Sequence, residues 1–146
     1  MDPSGFILVG PTGQPGNFGT LDFPAERARR TERGEQLFNT LENSPDTYTL
    51  RPPRPGDPCT TCYDPDTKTM IVDPNGHPGI QTTEGVIPAS TERIIAHEMG
   101  HAATGAPDPP PSLRTSEPGI NVLKNENPVA EELGEPRRTR YCGRKC

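Results

Sequence analysis

The stretch TERIIAHEMGHAATGAPD, Thr91–Asp108, holds two of the chain's three histidines, His97 and His101, with Glu98 beside the first. Residues four apart on a helix leave the same face one turn apart. Two imidazoles so placed can share one tetrahedral Zn2+, each at about 2.0–2.1 Å. Glu98 is rotated off that pair but stays within reach of a metal-bound water. A metal lowers the pKa of such a water towards about 7, and a neighbouring carboxylate takes its proton as it attacks a carbonyl. The pattern H-E-x-x-H therefore points to hydrolysis, with His97 and His101 as ligands and Glu98 as general base. Ile95, Met99 and Ala102 face elsewhere and anchor the helix, while Gly100 and Ala103 leave room for close packing. His77, alone in a turn, reads as a solvated loop residue.

The helix that must carry this motif has its own signals. Ser90 or Thr91 is the expected N-cap, Glu92 complements the dipole of the first turn, and Gly105 followed by Pro107 is a stop. These bound a helix over Thr91–Thr104. Upstream, residues 1–23 are rich in Gly and Pro with one apolar run, Phe6–Val9, an edge-strand candidate. Pro24–Leu41 reads as a helix with Leu37, Phe38 and Leu41 on one face, weakened by Gly34 and closed by Pro45. Thr47–Pro52 and Thr67–Pro74 are strand candidates. The loop between them, RPGDPCTTCYDPD, is long for a plain hairpin and contains Cys59 and Cys62. Asn75–Gly79 is a turn, followed by a polar connection to the motif helix.

A third metal ligand does not follow from the motif alone. A metzincin has Gly three residues after the second His and a ligand six after it; here Gly105 and Asp108 each fall one residue late. A gluzincin-like arrangement takes a Glu from a later helix, and Glu117, Glu126, Glu131 and Glu132 are the candidates. Glu117 precedes Pro118-Gly119 and reads as loop. The others lie in NENPVAEELGEP, a short helix ended by Gly134 and Pro136. Asn127-Pro128 reads as N-cap and first helical residue, which places Glu126 just ahead of that helix and Glu131 and Glu132 on it.

Composition narrows the rest. The chain of 146 residues is 29% hydrophobic, with no Trp, 20 Pro and 15 Gly, so one small, loop-rich domain is expected. A net charge of −5 argues against a nucleic-acid binder. No apolar run reaches membrane-spanning length. The start of the chain lacks a signal peptide's basic and apolar regions, as in a cytosolic protein or a piece cut from a larger one. Cys59, Cys62, Cys142 and Cys146 allow two disulfides, one zinc site or free thiols.

The tail ENPVAEELGEPRRTRY, Glu126–Tyr141, resembles that of zinc metallopeptidase toxin domains of bacterial secretion systems. These include type III effector peptidases and C-terminal domains of Rhs and VgrG proteins. Their pattern is E-N-x-x-R followed by L-G-x-P-x-R-T-x-Y. Glu126, Asn127, Leu133, Gly134, Pro136, Arg138, Thr139 and Tyr141 match it, and Ala130 departs from it. TERGEQLFNTL and the following TYTL are similar to the family's lead-in. DPSGF, Asp2–Phe6, is similar to the D-P-x-G-L junction that ends an Rhs core.

The resemblance implies an α+β, loop-rich, gluzincin-like zincin domain over residues 24–146, behind a junction-like lead-in over 1–23. It has an active-site helix, a short hairpin or sheet and a C-terminal ligand helix. It implies Zn2+ on His97, His101 and Glu126, with Glu98 as base. Tyr141 would donate to the developing oxyanion or anchor the tail, and Arg138 would serve as an ion-pair partner. It further implies a secreted effector acting on a protein or peptide in the periplasm or cytoplasm of a target cell, a parent Rhs core or secretion machinery, and a cognate immunity protein. A zinc amidase acting on peptidoglycan, or a binding module with structural zinc closed by His77 or a cysteine, are the alternatives.

Overall fold

The structure, a computed structural model, describes residues 8–142. The DPSGF stretch and Cys146 lie outside the described residues. Of the strand expected over Phe6–Val9, Leu8–Val9 forms β1. A 3-10 turn, Gly19–Leu21, leads into α1 (Asp22–Arg29), α2 (Glu32–Glu42), β2 (Tyr48–Arg51), β3 (Cys62–Asp64) and β4 (Thr69–Ile71). Then come β5 (Gly79–Thr82), β6 (Gly85–Pro88), α3 (Thr91–Thr104) and α4 (Asn127–Glu132). The architecture is the expected small α+β fold.

The helix expected over Pro24–Leu41 is two helices. Thr31 leaves the helical region (φ −77°, ψ 154°) and its hydroxyl accepts the Gly34 N–H at 3.0 Å, starting α2 afresh. Gly34 is therefore a packing residue rather than a weak point. A Cβ there would stand 1.8 Å from the Ala28 carbonyl at the end of α1. Leu37, Phe38 and Leu41 are buried together, as their spacing predicts.

The sheet runs β1-β2-β4-β3, with β1 and β4 parallel to β2 and β3 antiparallel to β4. The two expected strands do pair, Leu50 opposite Met70, but in parallel, because the long loop between them contains β3. β3 is an edge strand, and the Cys59–Cys62 disulfide closes its entrance. Cys142 is disulfide-bonded as well. The connection read as polar loop is a hairpin, β5–β6, turned at Gly85 with φ 97°.

Helix α3 packs on α1, α2, β3, β4 and α4. Its first ten residues are all buried, and Ile95 and Met99 are sealed in the core with Leu50 and Met70. The motif thus sits on the most constrained element of the domain. No helix among the described residues is long and apolar enough to cross a membrane.

Candidate metal centre

Helix α3 begins and ends where its caps predict. The Ser90 hydroxyl accepts the Arg93 N–H, and Gly105 turns left-handed (φ 69°) with its N–H on the His101 carbonyl. The two imidazoles stand at 84° to one another with their Nε2 atoms 3.2 Å apart. After Gly105 the chain doubles back, so the Ala106 carbonyl accepts the His101 Nδ1–H at 2.8 Å. Two residues on, Asp108 Oδ1 lies 3.1 Å from His97 Nε2 and 3.2 Å from His101 Nε2.

The partners of the Nδ1 atoms assign the tautomers. A carbonyl and a carboxylate only accept, so both Nδ1 atoms carry protons and both Nε2 atoms present bare lone pairs when the rings are neutral. These lone pairs meet the Asp108 Oδ1, which is buried and receives no hydrogen bond of acceptable geometry. Three such groups facing one another call for a cation, a proton on His97 in the metal-free protein or a metal ion shared by all three. A tetrahedral zinc at about 2.0–2.1 Å spaces its donors by about 3.3–3.4 Å, close to the triangle found here. Among the described residues, His97, His101 and Asp108 form the one group of three such donors able to share a metal.

This differs from the expected set, in which Glu126 is third. Glu126 is 1% exposed and occupies the opposite side of the His97 ring. Its Oε1 accepts His97 Nδ1–H at 2.8 Å and Arg138 Nη1–H at 2.9 Å, and its Oε2 accepts Arg93 Nε–H at 2.9 Å. The helix does not start at Asn127 either. A π-turn, Val122–Glu126, runs straight into α4, with the Asn127 N–H on the Val122 carbonyl. Pro128 explains the widening, because a proline inside a helix lacks the N–H for residue i−4 and its ring crowds that carbonyl. The extra residue per turn swings Glu126 onto His97 Nδ1. Asn127 clamps the tail instead of capping, accepting the Arg138 N–H at 2.8 Å and donating to the Arg138 carbonyl at 3.1 Å.

The π-turn also locks the motif helix from behind. Asn121 Nδ2 donates to the His97 carbonyl at 2.8 Å, and Asn125 Nδ2 donates to Asn121 Oδ1 at 2.8 Å. A Cβ on Gly100 would fall 2.1 Å from Asn121 Oδ1, so the glycine within HEMGH is what lets this turn approach. These asparagines carried no sequence signal. Once a helix over 120–126 is granted, however, Asn121 and Asn125 lie on one face.

Tyr141 arrives on the tail. Thr139 N–H binds the Gln81 carbonyl at 2.9 Å and Thr83 N–H the Arg137 carbonyl at 3.0 Å, laying the tail along β5. The phenol donates to Asp108 Oδ2 at 3.1 Å, and the ring lies between the Arg138 and Arg114 guanidinium groups. Its hydroxyl proton thus goes to Asp108. Of the other candidates, Glu131 pairs with Arg137 at 3.6 Å and Glu132 accepts the Glu32 N–H, both exposed. Glu117 is also exposed, and only its backbone carbonyl meets the tail. His77 touches Thr91 at the far end of α3, and its Nε2 is 2.5 Å from the Thr91 hydroxyl.

Glu98 is buried and lines a cavity with His97, Arg138, Tyr141, Ile80 and Thr61. It makes no hydrogen bond or ion pair among the described residues. Burial pushes its pKa up, the two histidines pull it down, and the Asp108 and Glu126 charges add to the rise. Burial opposes charge on His97, but Asp108 and Glu126 on its two nitrogens raise it to about 10. Burial, then Asp108, pushes the Tyr141 phenol up to about 12, which keeps it a donor. Burial resists ionisation of Asp108 and Glu126, yet both are held below the ordinary carboxylate range. The histidines do this for Asp108, and His97, Arg138 and Arg93 for Glu126.

The chain matches no protein-family model and no curated protein sequence. Among solved structures it is similar to the crystal structure of the Salmonella zinc metalloprotease effector GtgA. The TM-score is 0.57 at 18% identity, over 84% of this chain and 66% of that one. At that identity the likeness is one of architecture: the chain has the fold of a zinc metalloprotease effector.

Proposed function

We propose that the chain is a zinc-dependent peptidase in which His97, His101 and Asp108 hold the metal and Glu98 is the general base. The observation that carries this reading is the buried Asp108 Oδ1, left without a well-aligned hydrogen bond and 3.1 and 3.2 Å from the two Nε2 atoms. Zinc, when bound, supplies a water of lowered pKa and polarises the substrate carbonyl. Three protein donors leave a coordination position open, as catalytic rather than closed structural zinc sites do. His77 and the Cys59–Cys62 disulfide lie elsewhere or are already bonded, which disfavours a closing fourth ligand from them.

The chain's own groups divide the remaining work. Glu98, buried and raised in pKa, takes a proton from the attacking water and returns it to the leaving amine. Tyr141 holds Asp108 by Oδ2, which turns Oδ1 to the imidazoles. Glu126 fixes the tautomer and plane of His97 from behind, as outer carboxylates do for metal-bound histidines. Arg93 and Arg138 keep Glu126 ionised. The fold likeness supports a delivered effector acting on a protein in a target cell. A cognate immunity protein and a parent Rhs core belong to the same reading through the tail motif. Metal analysis and protein-cleavage assays test it. The wild type is expected to hold about one zinc per chain and to cleave. Glu98→Ala should keep the zinc and lose roughly 10²–10⁴-fold in rate. A metal-free wild type, or equal cleavage by Glu98→Ala, refutes the reading.

A further inference from the structure

The C-x-x-C loop has no part in the chemistry above, yet it borders the same cavity. Thr61, between the two cysteines, lines it together with His97 and Glu98. The Thr61 oxygen accepts the Asp73 N–H at 3.1 Å, and its hydroxyl proton has no acceptor among the described residues. That proton is available to whatever fills the cavity.

Besides the disulfide, the Asp73 N–H is what holds Thr61 there. The loop from β2 is pinned near its start, where Arg51 grips Asp57 with two hydrogen bonds of 2.8 and 2.7 Å. Strand pairing resumes only at Cys62, opposite Ile71, on a three-residue edge strand with one neighbour. Between these anchors stand Pro58, Cys59 and the two threonines, the last three closed into a ring by the Cys59–Cys62 bond. Short edge elements open at low free energy. A ring this small removes little entropy from the unfolded chain as a whole. Its effect is therefore local: it fixes Thr61, not the domain.

We infer that the Cys59–Cys62 disulfide is a redox control on the substrate cleft. Closed, it holds the Thr61 hydroxyl to donate to a backbone carbonyl of the peptide substrate. This rests on the peptidase reading and adds a substrate-positioning residue and a regulator to it. A cellular dithiol opens the ring. Its two thiols give two electrons and two protons to the S–S bond, leaving two cysteine thiols and the dithiol as its own disulfide. Peptide binding weakens while zinc and its ligands stay in place, so the enzyme works best in an oxidising compartment.

The test uses an internally quenched peptide chosen from a library for cleavage by the wild type. The reductant is a trialkylphosphine, which delivers two electrons and takes an oxygen from water without chelating zinc. Loss of one hydrogen bond to substrate should raise KM roughly two- to tenfold. Thr61→Val should show this rise, and Thr61→Ser should stay near the wild type. The Cys59→Ser/Cys62→Ser double variant should show the raised KM without any reductant. Because phosphine also opens the disulfide of Cys142, the phosphine-treated wild type is compared with the double variant treated in the same way, and the two should match. Zinc content should be unchanged in all of them. An active wild type whose KM is indifferent to both phosphine and Thr61→Val overturns this inference alone. A wild type that binds no zinc, or binds it and cleaves no library member, overturns the peptidase reading with it.

Discussion

Exchanging the two carboxylates that flank His97 separates the proposed ligand from its proposed support. Glu126→Gln keeps the shape but removes a charge that serves His97 Nδ1, Arg93 and Arg138. Arg93 is wholly buried, so the variant leaves a cation in the core short of its partner. Breaking a buried pair from one side costs about 3–5 kcal/mol. Arg93 keeps the Pro136 carbonyl at 3.1 Å and Glu135 at 3.5 Å, and Arg138 keeps the Tyr141 carbonyl, which favours the lower end. For a domain of this size, about 3 kcal/mol lowers Tm by roughly 10 °C. Losing the outer partner of a metal-bound histidine costs about 10–100-fold in zinc affinity.

Asp108→Asn should do the reverse. Its Oδ1 receives no well-aligned hydrogen bond, so the metal-free protein loses only the attraction between this half-buried carboxylate and the two imidazoles. Its Tm without metal should stay within a few degrees, whereas zinc binding should be lost. The assays are thermal melts of chelated protein and competition titration of zinc against a chromophoric chelator. The assignment is refuted if Asp108→Asn binds zinc normally while Glu126→Gln abolishes binding without moving the metal-free Tm.

Gly100→Ala should destabilise the metal-free protein by about 1–3 kcal/mol, the usual range for overpacking, since the new methyl meets Asn121 Oδ1 at 2.1 Å; chemical denaturation measures it, and an unchanged midpoint would show that the π-turn does not press on α3. Asp57 should shape the acid limb of stability. The Arg51 hydrogen bonds, then the Arg54 N–H, hold its pKa at about 2, below its ordinary 3.8. A lowered folded-state pKa gives stability that is present above the ordinary value and lost as pH falls through the folded one. Melts from pH 5 to pH 2 should therefore show the gap between wild type and Asp57→Asn closing as pH drops, and a constant gap would count against the pair.

Local signals foretold the motif helix almost completely. Ser90, the i, i+4 histidines and Gly105 act within one or two turns, and a single segment contains all the physics needed. The proposed third donor is different in kind. Asp108 misses a known register by one residue, but a register is only a loop path. Here the helix runs on to Thr104, so the return through Gly105 and Ala106 needs one more residue to bring a carboxylate back to the same nitrogens. Pro128 misled for a related reason. Its chemistry was read as a helix start, where prolines are common, but the same lack of an N–H can be absorbed by a π-turn. Gly34 and Gly100 read as weak points or spacers, and their necessity comes from neighbours distant in sequence. The β5–β6 hairpin is short and half-exposed, and without the tail beside it Gly85 was its only mark.

The tail's course has a consequence for when the site becomes competent during synthesis. A ribosome that has just finished the loop carrying Asp108 has made every proposed metal donor and the general base. It has not yet made the carboxylate behind His97, the asparagine that clamps the tail, or the phenol that holds Asp108, which lies 33 residues further on. The parts that would bind come off first and the parts that aim them come off later. A nascent chain would carry loose histidines from the end of α3 until the π-turn and the tail dock, and would acquire an ordered centre only then.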